Sequence, residues 1–279
     1  ELARRDDVPR CVSVFLTPSG RASTMLFEDD SRGVRLDELE AQYYGAILAE
    51  RWGEDHLAGH QGELWVGAGC RDISAVLSNE LVQLHASILA RQVRRSSSSP
   101  EAKICVWIAD DATSAVRFVD VAVQSPLREK RDDWTVVSHV GISAKLNALR
   151  AAKLPAETGG LIVGYIDHPL KRIFIVDVLP APSDSEGTSS GFVRGTDGLL
   201  RVLDALRDRT AGIVGYLGEW HSHPAFHTPR PSGDDVNLLA HCATVLARDG
   251  VPALMVIVGR AGEISYSLGL RREPSASNA

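Results

Sequence analysis

The run Glu219-Trp220-His221-Ser222-His223-Pro224 places two histidines two residues apart at the end of a β-rich segment. An element of period two sends both imidazoles to one face. Two such nitrogens can share a metal ion, although a histidine at a strand end is more commonly a plain surface or core residue. A third ligand is available in Ser232-Gly233-Asp234-Asp235, which opens a helix, so that Asp235 lies one turn in from Ser232 and can point back toward His221 and His223. Two histidines and a carboxylate, with a fourth position left to water, is a set that catalytic zinc sites use. The same Ser-x-x-Asp also reads as a capping box, in which Ser232 satisfies free amides and Asp235 complements the helix dipole. Beside His221 and His223 the metal reading outweighs it. A metal-assisted hydrolase further needs a base that takes a proton from water and hands it to the leaving amine. Glu157 is the candidate, because it precedes Thr158-Gly159-Gly160 at the mouth of a strand, where glycines admit close backbone approach and a carboxylate can overhang a cleft. By spacing alone, Glu157 is a solvated turn residue.

The elements that must position these groups follow from hydrophobic period. From about Ser138 onward the pattern predicts a helix over Ser143–Lys153 and strands over Thr158–Ile166 and Arg172–Val178. A polar Ser-, Gly- and Pro-rich loop follows over Pro180–Gly195, long enough to suggest function. Beyond it come a helix over Gly198–Arg209, a strand over Ala211–His221, a helix over Asp234–Arg248 and closing strands over Ala253–Val258 and Ile264–Leu270, with a frayed tail from Arg271. In the first half, Val12–Leu16 and Glu63–Val66 read as strands, and Leu36–Arg51 and Ile73–Val93 as helices. Arg94–Pro100 reads as a loop or linker. Ile104–Ile108 and Val116–Val123 form a hairpin across Asp110-Asp111-Ala112-Thr113. The division expected is an α/β domain over 1–126, a second domain over 127–271 and a flexible tail over 272–279.

Taken together, Glu157-Thr158-Gly159-Gly160-Leu161-Ile162-Val163-Gly164, His221-Ser222-His223-Pro224 and Ser232-Gly233-Asp234-Asp235 resemble the JAB/MPN+ (JAMM) zinc metalloprotease family of bacterial type, over roughly Ser138–Leu270. Pro182-Ser183-Asp184-Ser185 and Phe192-Val193-Arg194-Gly195 resemble the substrate-side loop of bacterial members. The resemblance implies a cytidine-deaminase-like mixed β-sheet flanked by helices, with a smaller α/β domain before it. It implies Zn²⁺ on His221, His223 and Asp235, Glu157 as the base, and Ser232 as hydrogen-bond donor to the oxyanion. The seven residues between Pro224 and Ser232 are one more than the family's usual spacing, which places Asp234 in competition with Asp235; Asp235 keeps the Ser-x-x-Asp interval. Glu219 and His227 read as solvated surface residues, with a supporting role at the site as the alternative. The implied activity is cleavage after the C-terminal glycine of a ubiquitin-like protein, to process it or to remove it from a conjugate. The implied partners are that protein and E1/E2-like enzymes of the same pathway, and antiphage conjugation is one setting for such proteins. The competing reading is a scaffold of MPN type without catalysis, against which stand all five site residues in the family's order. A zinc nucleobase deaminase would need His-x-Glu with Pro-Cys-x-x-Cys, and neither is present.

Before the site the signal is weaker. Gly67-Ala68-Gly69-Cys70-Arg71-Asp72 and the helix expected after it resemble the distal part of ThiF/E1-like adenylyltransferases, without a Gly-x-Gly-x-x-Gly loop. Cys70 would then be a buried thiol rather than a thioester nucleophile, and the alternative is an unrelated α/β domain that binds substrate or partner. Across the 279 residues the net charge is −6, which argues against general affinity for nucleic acid or an anionic membrane. The four cysteines are scattered without a CxxC pair, which favours a reducing, cytoplasmic setting. No apolar run approaches the roughly 20 residues a membrane helix needs. The chain opens on Glu1 rather than Met, so upstream sequence is expected.

Overall fold

The computed structural model describes residues 5, 7–59, 64–66, 73–75, 77–110, 112–113 and 115–270. The expectations for Gly67–Asp72, with Cys70, and for the tail from Arg271 lie outside the described residues. Two compact units emerge, one of residues 1–125 with 206–212 and one of residues 126–205 with 213–279.

In the first unit, β1 (Val12–Leu16), β2 (Ala22–Phe27), β5 (Lys103–Ala109) and β6 (Val116–Val121) form an antiparallel sheet in the order β1-β2-β5-β6. Adjacent β2 residues show which helix covers which face. Ser23 Oγ meets His85 Nδ1 of α2 (Asn79–Ser96) at 2.8 Å, whereas Thr24 Oγ1 meets Tyr43 Oη of α1 (Leu36–Ala49) at 3.4 Å. Successive strand side chains point oppositely, so one helix covers each face. This explains why β2 escapes sequence reading: buried along its whole length, it shows no alternation. The single helix expected over Ile73–Val93 is corrected. Ile73–Ala75 is strand β4, paired with β3 (Leu64–Val66), and the helix begins after Ser78, whose side chain accepts from the Leu81 amide at 3.2 Å. Of Arg94–Pro100, read as a loop or linker, the first three residues complete α2, which runs to Ser96, and residues 97–100 form a loop inside this unit, since β5 returns to pair with β2.

The second unit is a seven-stranded mixed sheet in the order β15-β14-β13-β9-β10-β8-β7. Its strands are β7 (Pro126–Arg131), β8 (Trp134–His139), β9 (Gly159–Asp167), β10 (Arg172–Pro180), β13 (Gly215–Ser222), β14 (Ala253–Val258) and β15 (Ile264–Gly269). The pairs β8–β10 and β13–β14 are parallel and the others antiparallel. β7 and β8 were not expected, since the charged run Leu127–Arg131 marks an edge strand rather than a core one. Helix α3 (Val140–Ala151) sends Ile142 and Leu146, four apart, into a core with Ile162, Trp220, Val256 and Tyr266. The opposite face receives α5 (Gly233–Leu246), where Gly269 lies so close to Ala243 and Leu239 that a Cβ would collide with them. The loop over Pro180–Gly195 contains a hairpin, β11 (Glu186–Thr188) with β12 (Gly191–Val193); α4 (Leu199–Arg209) follows, its residues from 206 onward belonging to the first unit. No helix among the described residues is long and apolar enough to cross a membrane.

Candidate metal centre

β13 carries Glu219 and His221 on the face toward α5, and buries Trp220 and Ser222 on the other. The Ser222 backbone amide donates to the Thr158 carbonyl at 2.7 Å, and its hydroxyl accepts from the Thr158 amide at 3.1 Å. The residue between the histidines therefore joins their strand to the residue after Glu157, so all three enter one cleft. Gly160 permits the neighbouring packing, since a Cβ there would lie 2.0 Å from the Leu179 carbonyl oxygen and 2.9 Å from Trp220 Nε1.

At the start of α5 both readings of Ser-x-x-Asp hold together. Ser232 Oγ accepts from the Asp235 amide at 3.2 Å, and Asp235 Oδ2 accepts from the Ser232 amide at 2.7 Å, closing a capping box. The same carboxylate places Oδ1 3.1 Å from His221 Nε2 and Oδ2 3.6 Å from His223 Nε2. One ligand atom from each of His221, His223 and Asp235 falls within 4.8 Å of the others. Asp234 is exposed on the rim of the cleft, so the carboxylate that meets the imidazoles is that of Asp235.

The donor chemistry fits a cation. His223 Nδ1 lies 2.7 Å from the Thr228 carbonyl and donates its hydrogen there, which leaves the Nε2 lone pair aimed at the cluster. His221 Nε2 is buried and has no hydrogen-bond partner, although Asp235 Oδ1 is 3.1 Å away. Two imidazole lone pairs and a carboxylate directed at one point leave a buried nitrogen unsatisfied unless a positive ion lies between them. Burial alone would raise the Asp235 carboxyl, but the facing imidazoles of His221 and His223 and a hydrogen bond from the Ser232 amide outweigh it and hold the group well below the usual carboxylate range. Burial raises Glu157, and His223 and His221 only partly offset the rise.

These groups line a cavity of about 700 Å³ walled by Phe192 and Arg194 from the hairpin side and Leu238 from α5. Glu219 is not the solvated residue expected: its carboxylate accepts from Arg194 at 2.8 and 3.1 Å and is 18% exposed. His227 is exposed, as read from sequence. Sequence reasoning missed Arg150. Buried near the end of α3, it donates to the carbonyls of His223 and Pro224, both at 3.0 Å, and so holds the turn that carries the second histidine. An arginine in the last turn of an otherwise apolar helix face was the available signal.

Residues 140–269 match the family model described as prokaryotic homologs of the JAB domain. The second unit carries a JAB domain. A protein of Enterobacter hormaechei subsp. hoffmannii (strain UCI 50), described as a CD-NTase/cGAS isopeptidase, is 36% identical over 118 residues. That match spans 42% of this chain and 63% of the relative's length. Protein DSY2949 from Desulfitobacterium hafniense, a solution structure, is similar over 48% of this chain and 92% of its own, with 21% identity and a TM-score of 0.29. The family match begins at the first residue of α3 and ends with β15, so the site residues and Arg150 all fall inside the JAB domain.

Proposed function

We propose that the JAB domain is a zinc-dependent isopeptidase that cleaves the amide bond after the C-terminal glycine of a ubiquitin-like protein. The observation that carries this reading is the meeting of His221, His223 and Asp235 in a cleft that also holds Glu157. Zinc held by those three residues would polarise the scissile carbonyl and make water acidic enough to lose a proton near neutral pH. Glu157, its carboxyl raised by burial, is matched to take that proton and return it to the leaving amine. Ser232 Oγ accepts from the Asp235 amide, so its own hydrogen is available to an oxygen that gains charge in the reaction. The cleft is lined by Gly191, Phe192 and Val193 of the hairpin strand β12, along which an extended tail would lie.

The described relative supports the choice of substrate class, and a conjugate of a CD-NTase-like enzyme with a ubiquitin-like protein is the first substrate to try. The cytoplasm is the setting that suits such a substrate. For residues 1–126 we favour a substrate- or partner-binding role over an adenylyltransferase remnant. Among the described residues its main sheet is antiparallel and lacks the β–α–β crossover of nucleotide-binding sheets.

The test pairs metal analysis with cleavage of a ubiquitin-like fusion by the wild type and by Glu157→Gln. Stoichiometric zinc in both, with turnover reduced about a thousandfold in the variant, is the expected result. A wild type that binds no zinc at the three ligands would sink the mechanism and leave a scaffold.

A further inference from the structure

The hairpin β11–β12 touches the site layer at three points. The Glu157 amide donates to the Thr188 carbonyl at 2.8 Å, and Gly187 lies so close that a Cβ would sit 2.1 Å from the Glu157 carbonyl oxygen. The Phe192 ring covers Gly159, where a Cβ would meet it at 2.5 Å. Arg194, just past β12, grips Glu219 on β13 through Nε at 3.1 Å and Nη2 at 2.8 Å, while its Nη1 donates to the Gly195 carbonyl at 3.0 Å. Tyr216 Oη adds a weaker contact to the same Glu219 oxygen at 3.4 Å. The loop base is closed independently, since Asp184 accepts from the amides of Thr196 and Asp197 and Ser185 Oγ accepts from the Gly195 amide.

An exposed ion pair holds little in place. This one is 24% and 18% exposed, lines the reaction cleft and joins two segments that share no covalent neighbourhood. Glu219 precedes His221 by two residues on the same strand face, so Arg194 is anchored to the strand that presents the candidate ligand. We propose that the Arg194–Glu219 pair is a latch that seats the hairpin on the site layer and, through the Thr188 carbonyl, positions the backbone of Glu157. Both are positioning residues, and the role assigned to Glu157 rests on the isopeptidase reading above. Closed, the latch keeps the Glu157 carboxylate over the cleft; open, the hairpin lifts and the base loses its seat.

The experiment uses the full chain with Arg194→Met, Glu219→Gln and the exchanged double variant Arg194→Glu/Glu219→Arg. Amide hydrogen exchange is followed in peptides covering residues 155–160 and 186–193, and a ubiquitin-like fusion is cleaved in parallel. Either single variant should speed exchange in both peptides about tenfold at unchanged zinc content and melting temperature, and the double variant should recover part of it. Turnover should fall about tenfold in both single variants alike and be partly rescued in the double. Unchanged exchange in the single variants overturns the latch, as does a rise in KM confined to Arg194→Met with Glu219→Gln silent, which would make Arg194 a direct substrate contact. If the wild type cleaves nothing while exchange responds as described, the latch stands and the isopeptidase reading is what fails.

Discussion

Ser232 and Asp235 each combine an observed helix cap with a proposed role at the site, using one set of atoms. Asp235 uses a carboxylate oxygen to cap the first turn of α5 and still faces both imidazoles, and Ser232 caps through its oxygen while keeping a hydrogen to donate. The roles separate on substitution. Ser232→Ala should cost about 1 kcal/mol of stability through the lost cap and lower turnover about a hundredfold through the lost donor. Ser232→Asp, which keeps a capping acceptor and when ionised has no hydrogen to donate, should recover the stability and leave turnover low. Melting temperature and kcat measured on both variants check this; recovery of turnover by Asp would remove the donor role. The sequence reading set capping and metal binding against each other, because spacing shows which atoms are near and not how many partners one carboxylate can serve.

The site is a meeting of elements that sequence spacing cannot relate. Glu157 lies just ahead of β9, the histidines at the end of β13, Asp235 in the first turn of α5, and α3 reaches across with Arg150 to the carbonyls of His223 and Pro224. Arg150→Met keeps the helix and most of the buried stem but removes both hydrogen bonds, so the His223 turn should loosen without loss of a ligand. Zinc affinity should weaken about tenfold to a hundredfold, as for other groups that orient metal ligands, measured by competition with a chelating dye; unchanged affinity would show that Arg150 only packs. The hairpin over Glu186–Val193 belongs to the same scale. Its composition reads as loop, and its strand pairing depends on Arg194, Glu157 and Phe192 finding partners far away in sequence.

At the scale of the whole molecule, folding stability is tied to pH through buried imidazoles. Burial lowers His56, His85 and His139 below the ordinary histidine value, His56 to about 4, where its ring receives the Tyr43 hydroxyl at 2.7 Å. The unfolded chain takes up protons on these groups near pH 6.5, and the folded chain does so only at lower pH. Stability is therefore unaffected by them above about pH 7 and falls as the pH drops below about 6.5, for His56 down to about pH 4, by up to about 1.4 kcal/mol per pH unit for a single histidine. Denaturant midpoints at pH 7.5, 6 and 5 should show the decline, with a shallower slope in His56→Gln; equal slopes would show that His56 is not among the groups responsible. The sequence by itself determined the local elements that carry the candidate site's residues: a period of two puts His221 and His223 on one face, Ser-x-x-Asp opens a helix, and β9, β10, β14 and β15 stand within a few residues of where alternation and apolar runs place them. Only the tertiary structure decided the two-faced sheet of the first unit, the strand at Ile73–Ala75, the edge pair β7–β8, and the parts played by Arg150, Ser222 and the Arg194–Glu219 pair. Short-range pattern reports which way a side chain points along its own element, whereas burial on both faces erases that pattern and a polar group's partner is set by chain segments dozens of residues away.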